Sequence, residues 1–389
     1  MIRVLQVLGS TTLGGAESRV MDIYRHIDKD RIQFDFLVNE GCTGHFDAEI
    51  ESLGGHVYTL PRYRIVNHKQ YKDAVKSFFE EHTDYAAVHG HMTSTAAIYL
   101  PIAKKAGVPL TIAHARSAGV DSGIKGKLTN MLRKHLPEKC DRMFACSDLA
   151  AKSVFGENNY HDGKVKVMPN AIETTDFAVD ETKRKCIRSQ YGVEDKFVIG
   201  HVGRFHEAKN HGFLLEIFDR FLDLRPDAVL MIVGDGPLRP QIEAKIEELD
   251  NARKSGNKAA LRDKVILTGS QSPVDPYYQA FDIFLFPSKF EGMPGTVVEA
   301  QAASLRSLIA DTITRLVKVT DSVEFETLSK DAGEWAAKLY SVYGALPVDS
   351  IWKERVHDNA AIQTSMSESD YDVGNQVNFY TDLYEKASV

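Results

Sequence analysis

The sequence predicts an α/β protein made of two doubly wound parallel-sheet domains in tandem. Two observations carry the fold class. Short apolar runs of β type alternate with helical patterns through the first half of the chain, the rhythm of successive β–α units. That rhythm lapses near residue 170 and restarts near residue 197. A third observation sets the domain count: 389 residues is long for one hydrophobic core and comfortable for two domains of about 180 residues each.

Composition narrows the class further. The charged fraction of 26% and the aliphatic and aromatic content are those of an ordinary globular protein. The formal net charge is −7, with the first half close to neutral and the acidic excess in the second. A nucleic-acid binder needs a strong basic excess, so that class is set aside. No stretch approaches 18 apolar residues, the length a bilayer span needs. Met1 to Leu8 enters a strand directly, without signal-peptide architecture. Cys42, Cys140, Cys146 and Cys186 lack C-x-x-C spacing, which points to a reduced, cytosolic setting with no metal at cysteine.

In the first half, strands are predicted at Ile2–Leu8, Phe34–Val38, Val57–Leu60, Ala86–His89, Leu110–Ala113, Met143–Cys146 and Val165–Met168. Helices fall near 16–27, 46–53, 69–82, 94–106, 124–136 and 148–155. The first strand leads into Gly9 to Glu17, where the pair Gly14-Gly15 lets backbone approach a ligand closely or simply makes a turn. The spacing is not G-x-G-x-x-G, so the dinucleotide fingerprint is absent. His89, His91 and His114 stand at the C-terminal ends of strands, the edge where open α/β sheets bind ligands; a lone histidine there is more often structural. The stretch Ile124–Leu136 sets Lys125, Lys127, Arg133, Lys134 and His135 beside Ile124, Leu128, Met131, Leu132 and Leu136. It reads either as a solvated helix packed on its own domain or as a basic amphipathic helix on an anionic membrane surface. The linker is placed around 170–180.

In the second half Phe197–Val202 is a strand, followed by Gly203-Arg204-Phe205-His206-Glu207-Ala208-Lys209-Asn210 and a helix to about Asp223. Two cations on such a loop are either solvated or phosphate ligands. Val229–Val233 leads into the turn Gly234-Asp235-Gly236-Pro237. Residues 250–263 are polar and predicted as an exposed loop or frayed helix. Val265–Thr268 is a strand that turns at Gly269-Ser270. Asp282–Phe286 reads as a buried strand closed by Pro287, and Thr296–Ala303 as a helix capped near Gly295 or Thr296. Strand, glycine loop and helix N-terminus aim free backbone N–H groups at one point, which attracts phosphate. Glu291 lies on that loop and Glu299 about one turn into the helix. They face one crevice, or are a solvated carboxylate and one answering the helix dipole. Tyr371 to Lys386 is a last helix.

Glu291 and Glu299 with seven residues between them, after Asp282-Ile283-Phe284-Leu285-Phe286-Pro287-Ser288, resemble the E-x7-E signature of retaining GT-B glycosyltransferases of family 4. Gly14-Gly15-Ala16-Glu17 is similar to that family's G-G-A-E loop, and His114 to its strand-end histidine. Pro169-Asn170-Ala171-Ile172-Glu173 is similar to P-N-G-I-D with alanine for glycine. Gly203-Arg204 with Lys209-Asn210 matches G-R-x(4)-K-N, and Val233 to Pro237 matches V-G-D-G-P. The motifs come in the family's order over nearly the whole chain.

The resemblance implies two Rossmann-like domains facing each other across a cleft. Residues 1–175 would bind the acceptor, 176–368 the nucleotide sugar, and the helix in 369–389 would cross back to the first domain. The implied activity is retaining transfer from a nucleotide-diphosphate sugar, UDP favoured, to a glycan or lipid-linked glycan of bacterial polysaccharide synthesis. Arg204, Lys209 and the amides near Thr296 would carry the diphosphate charge, Glu291 the sugar hydroxyls and Glu299 the ribose diol. Gly14, Gly15 and His114 would meet the phosphates and sugar, and Gly203, Gly234, Gly269, Gly292 and Met293 would line the donor site. Glu291, His114, Arg204 and Lys209 are the implied catalytic set, with no metal and no cofactor beyond the sugar nucleotide. Residues 124–136 would give peripheral contact with the inner membrane face of a cytoplasmic enzyme. Ser304 replaces a helix-ending glycine, Arg306 a proline and Leu316 a glutamate. Those departures motivate a catalytically silent nucleotide-sugar binder as the rival, and the shared architecture motivates a sugar-nucleotide 2-epimerase.

Overall fold

A computed structural model describes residues 1–12, 14–41, 44–117, 119 and 123–388, without the side chains of 123–125, 127 and 128. The chain forms two compact units, residues 1–171 with 370–389, and residues 172–369.

Unit 1 is built on a seven-stranded parallel sheet: β1 (Ile2–Val7), β2 (Ile32–Asn39), β3 (Val57–Leu60), β4 (Tyr85–Gly90), β5 (Leu110–Ala115), β6 (Arg142–Ala145) and β7 (Val165–Val167), in the order β3-β2-β1-β4-β5-β6-β7. Both faces are covered, which is why β2, β4 and β5 are buried at every position, the polar Gln33, Asp35, Thr111 and His114 included. Alternate residues divide between two cores. Leu5, Val7, Leu37 and Val88 pack with Val75, Phe79 and Tyr99 on one face. Val4, Phe34, Phe36, Ile112 and Phe144 pack with Tyr24, Tyr380 and Tyr384 on the other. The final helix, Val373–Ala387, is therefore part of this unit, and Gln376 Nε2 donates to the Pro169 carbonyl at 2.7 Å.

Unit 2 has a six-stranded parallel sheet: β8 (Phe197–Val202), β9 (Ala228–Val233), β10 (Val265–Gly269), β11 (Ile283–Phe286), β12 (Ser307–Ala310) and β13 (Val323–Glu326), in the order β10-β9-β8-β11-β12-β13. In each unit the strand order reverses once, between β1 and β4 and between β8 and β11. A switch point of this kind opens a crevice at the C-terminal strand ends, because the chain leaves the two neighbours in opposite directions.

Of the two alternatives for residues 250–263, the helix holds for 250–255, the end of the 17-residue helix Arg239–Ser255, and its last turn is packed instead of frayed. Asp250 and Arg253 are buried because each is fully partnered. Asp250 Oδ1 accepts from the amides of Leu261 and Arg262 at 2.7 and 3.0 Å. Arg253 reaches Asp219 at 2.9 Å and Asp223 at 3.2 Å. Ser304, at the position of the missing glycine, does adopt a left-handed backbone, with φ 55°. Its hydroxyl donates to Asn359 Oδ1 at 3.0 Å. No helix among the described residues is long and apolar enough to cross a membrane.

Candidate active site

In unit 2 the loops after β8 and β11 meet at the switch point. Gly203 follows β8, and a Cβ there would lie 3.1 Å from Lys209 Cε and 3.3 Å from His201 Nε2. Its small size lets the lysine stem lie against the backbone. Asn210 turns the chain with φ 58° into the helix His211–Leu224, and its Nδ2 donates to the Pro287 carbonyl at 3.1 Å. That bond ties the β8 loop to the end of β11. Lys209 Nζ is 2.8 Å from Glu291 Oε1, each side chain 15% exposed, and lies 4.6 Å from the Phe286 ring centroid. Ser288 Oγ sits 2.8 Å from the same carboxylate oxygen and 2.6 Å from the Ala208 carbonyl. The carboxylate is thus held by a cation and a hydroxyl at once, with charge-assisted bonds.

The ends of β8, β9 and β10 are knitted by backbone. Gly203 N donates to Val233 O and Gly234 N to Gly269 O, both at 2.9 Å. Gly234 has φ 144°, and a Cβ there would strike the Gly203 carbonyl at 2.1 Å, so the close approach requires glycine. Arg204 is exposed on the same loop as Lys209, and among the described residues no carboxylate pairs with it. Gly292 and Met293 lie on the β11 loop, and the helix Gly295–Ala302 opens after Pro294. Thr296 is in its first turn, with a buried hydroxyl that has no hydrogen-bond partner. Glu299 Oε2 accepts from the Tyr278 hydroxyl at 2.7 Å. Burial and the Glu299 charge push the Tyr278 pKa upward, which keeps that hydroxyl a donor. Lysine, arginine and the free amides of a helix start make this edge suited to an anion.

In unit 1 the loop after β1 carries Gly14 and Gly15 into the helix Gly15–His26. Glu17 folds back so closely that a Cβ on Gly14 would lie 2.4 Å from its Oε2, while Gly15 faces open space. His89 and His91 form one buried cluster with His114. His89 Nε2 is 3.1 Å from His114 Nδ1, His91 Nε2 is 2.9 Å from Gln6 Oε1, and Arg116 Nε donates to His91 Nδ1 at 3.0 Å. Burial, with the Arg116 charge beside it, drives all three imidazole pKa values well below the usual range, so the rings are neutral. A nitrogen of each lies within 4.8 Å of the others. Those nitrogens are largely spent on one another and on Gln6, Tyr384 and Arg116, and the guanidinium opposes a cation.

The structure therefore groups Gly203, Arg204, Lys209, Gly234, Gly269, Glu291, Gly292, Met293, Thr296 and Glu299 in unit 2, and Gly14, Gly15 and His114 in unit 1. Sequence reasoning did not find Ser288, Tyr278, Gln6, Arg116 or Tyr384. Ser288 stands three residues before Glu291 and could have been suspected; the others act over long sequence distances. The basic helix of 124–136 is observed as Gly123–Lys134, with a correction. Arg133 does not join a basic face: it is buried and donates to the Gly119 carbonyl at 3.3 Å, whereas Met131 is 58% exposed. Ile124, Lys125, Lys127 and Leu128 lie outside the described side chains.

Two doubly wound parallel sheets in tandem, with chemistry-bearing loops at both switch points, define a GT-B protein. HepE from Anabaena, solved in complex with UDP, superposes with a TM-score of 0.72 at 17% identity, covering 99% of this chain and 100% of that one. A glycosyltransferase from Rickettsia africae gives 0.74 at 15% identity, covering 100% and 98%. Residues 196–344 match the family described as glycosyl transferases group 1, and residues 13–176 match glycosyltransferase family 4. EpsF of Bacillus subtilis (strain 168) is 33% identical over 341 residues, 86% of each chain. The UDP-Gal:alpha-D-GlcNAc-diphosphoundecaprenol alpha-1,3-galactosyltransferase of Escherichia coli is 27% identical over 234 residues, 58% of each. The chain belongs to the family 4 glycosyltransferases.

Proposed function

We propose that this protein is a retaining, metal-independent glycosyltransferase that moves a sugar from a nucleotide-diphosphate sugar, with UDP favoured, to a lipid-linked glycan. The observation that carries the reading is the Lys209–Glu291 pair at 2.8 Å on the switch-point edge of unit 2. As the bond from the anomeric carbon to the diphosphate breaks, negative charge grows on the leaving phosphate. Lys209, Arg204 and the amides opening the helix Gly295–Ala302 stabilise it. Glu291 accepts hydrogen bonds from sugar hydroxyls, and Glu299, oriented by Tyr278, takes the ribose diol. The departing phosphate oxygen receives the acceptor proton on the face it leaves, so configuration is kept. Gly14, Gly15 and His114 are the donor contacts proposed for unit 1.

The choice of UDP is supported by the UDP-Gal of the E. coli relative's name and by HepE, solved with UDP and with UDP-glucose. The acceptor class is supported by that relative and by a Campylobacter jejuni relative, 29% identical over 148 residues, whose names both carry an undecaprenol diphosphate. Such an acceptor goes with a cytoplasmic protein that touches the inner membrane face through the helix Gly123–Lys134.

The test is a panel of UDP-, GDP- and ADP-sugars, first by thermal shift and then by transfer to a diphospholipid-linked sugar, with the product anomer assigned by NMR. UDP is expected to raise the melting temperature, and the product is expected to keep the donor configuration. An inverted product ends the retaining reading. A donor that is epimerised without acceptor, or bound and never consumed, replaces transfer with one of the two rivals.

A further inference from the structure

The last carbonyls of a helix have no partners within it and must find them elsewhere. In the helix Gly295–Ala302, which bears Glu299, each has one. The carbonyls of Glu299, Ala300 and Gln301 accept from the amides of Ala303, Leu305 and Ser304 at 2.9, 2.9 and 2.8 Å. Those of Ala302 and of the capping Ala303 are taken by the helix Val348–Ser367. Gln363 Nε2 donates to the first at 2.6 Å and Arg355 Nε to the second at 2.7 Å.

The rest of the Arg355 guanidinium turns to a different helix, Asp275–Ala280. Nη2 donates to the Tyr278 carbonyl and to Gln279 Oε1, both at 3.1 Å. Nη1 donates to the carbonyls of Phe281 and Gln279 at 3.0 and 3.3 Å. All five N–H donors of the buried side chain are thereby used.

These bonds close a ring around Glu299. One path runs from Arg355 through the backbone of Tyr278 to the hydroxyl that donates to Glu299 Oε2 at 2.7 Å. The other runs through Ala303, whose amide donates to the Glu299 carbonyl at 2.9 Å. Side chain and main chain of Glu299 are both supported from one planar fork. Its fixed geometry sets the distance between Tyr278 and the helix that carries the carboxylate, which a flexible ammonium cannot do. The Ser304 hydroxyl stands outside the ring, since it bonds Asn359 side chain to side chain.

We infer that Arg355 is a positioning residue for nucleotide recognition: acting through Tyr278 and the end of the helix Gly295–Ala302, it holds the Glu299 carboxylate where a ribose diol is read. This rests on the ribose contact proposed for Glu299 and names the residue that sets its aim. A loosened carboxylate loses selectivity for the diol, while the diphosphate is left to Lys209 and Arg204.

The test is calorimetric titration of the full chain with UDP and with 2′,3′-dideoxy-UDP, beside steady-state kinetics in the UDP-sugar. In wild type the diol is expected to be worth at least about tenfold in affinity, the scale of a hydrogen bond to a charged group. Arg355→Lys keeps the charge and loses the fork. The affinity ratio is expected to shrink to about twofold, with donor KM raised about tenfold and kcat within about threefold of wild type. Gln363→Ala removes the neighbouring bond from a half-buried position and is expected to shrink the ratio about twofold. It carries the test should Arg355→Lys not fold. Urea midpoints separate support of the fold from support of the site: variants that lose stability and keep the wild-type ratio overturn the positioning role. Equal affinities for the two nucleotides in wild type overturn the ribose contact and the inference with it. A wild-type preference for UDP that persists in both variants removes the inference alone and leaves the proposed function standing.

Discussion

The two switch-point edges solve the problem of holding polar groups in different ways. In unit 2 opposite charges face each other: Lys209 is held by Glu291, and Ser288 holds the carboxylate. In unit 1 the residues are neutral imidazoles bonded to one another and to Gln6 and Tyr384, with the Arg116 guanidinium on His91 and no carboxylate against it among the described residues. A charge pair attracts strongly but is already satisfied, so an incoming anion must compete with Glu291 for Lys209. A buried neutral cluster attracts an anion weakly, because it carries no charge of its own beyond the arginine beside it. The edge proposed to take the diphosphate is thus the one whose charge is held in reserve.

The sharpest way to break this contrast is to separate the pair. Lys209→Ala is expected to lower kcat/KM by about 10²–10³-fold, the scale for losing one group that meets developing charge. Glu291→Gln keeps an oxygen for Ser288 but frees the lysine. Transfer is expected to fall about 100-fold, with UDP bound as tightly as by wild type or more tightly. Initial rates and calorimetric titration with UDP check both halves. Weaker UDP binding by Glu291→Gln would mean that the carboxylate organises the lysine instead of competing for it.

Acid stability sharpens the contrast from the other side. His211 is buried with both ring nitrogens unpartnered, and burial, with Lys209 nearby, lowers its pKa to about 4. Between pH 6.5 and 4 the unfolded chain takes up a proton that folded unit 2 refuses, so stability falls as pH falls. At about 1.4 kcal/mol per pH unit the loss is about 3 kcal/mol, complete near pH 4, with no contribution above pH 6.5. Trp335 and Trp352 are the chain's two tryptophans and both belong to unit 2, so urea titrations followed by tryptophan fluorescence read this unit alone. His211→Leu is expected to reduce the slope between pH 6.5 and 4 without abolishing it, because the buried His201 beside it is also held below its usual range. An unchanged slope would place the acid sensitivity elsewhere.

What the sequence disclosed follows burial and locality, except at the four-residue strand β12, which is buried throughout and still went unread because so short a run carries no period. Strands such as β8, β9 and β11 were legible because a sheet covered on both faces needs continuous apolar runs. The edge strand β13, Val-Glu-Phe-Glu and only half-buried, carries no such run and went unseen. The helix Val348–Ser367 was equally silent, since among its few buried residues is Arg355 rather than an apolar stripe. Arg355 is anchored by bonds to the carbonyls of Tyr278, Phe281 and Ala303. In the site, glycine loops with their lysine and glutamates are local patterns. The partners Tyr278 and Tyr384 lie 21 residues from Glu299 and 295 from His89, and only tertiary structure brings them together. The three histidines looked separable until sheet register set His89 beside Gln6 and Ile112.

Ser304 offers the smallest effect and a clean partition of it. Its φ of 55° costs a residue with a Cβ about 1 kcal/mol relative to glycine. The bond from its hydroxyl to Asn359 Oδ1 at 3.0 Å returns about 1 kcal/mol. Ser304→Gly relieves the first and forfeits the second, so stability is expected to stay within about 1 kcal/mol of wild type. Ser304→Ala keeps the strain and loses the bond, and is expected to destabilise by about 1 kcal/mol. Asn359 Oδ1 still accepts from the Val179 amide at 3.2 Å in either variant, so no buried acceptor is orphaned. Transfer rates of the glycine variant should match wild type, because the serine acts on a helix end and not on the switch-point loops. If instead Ser304→Gly raised the rate severalfold, the departure would be tuning the helix that bears Glu299, and the two edges would differ in their tolerance of strain as well as in their charge.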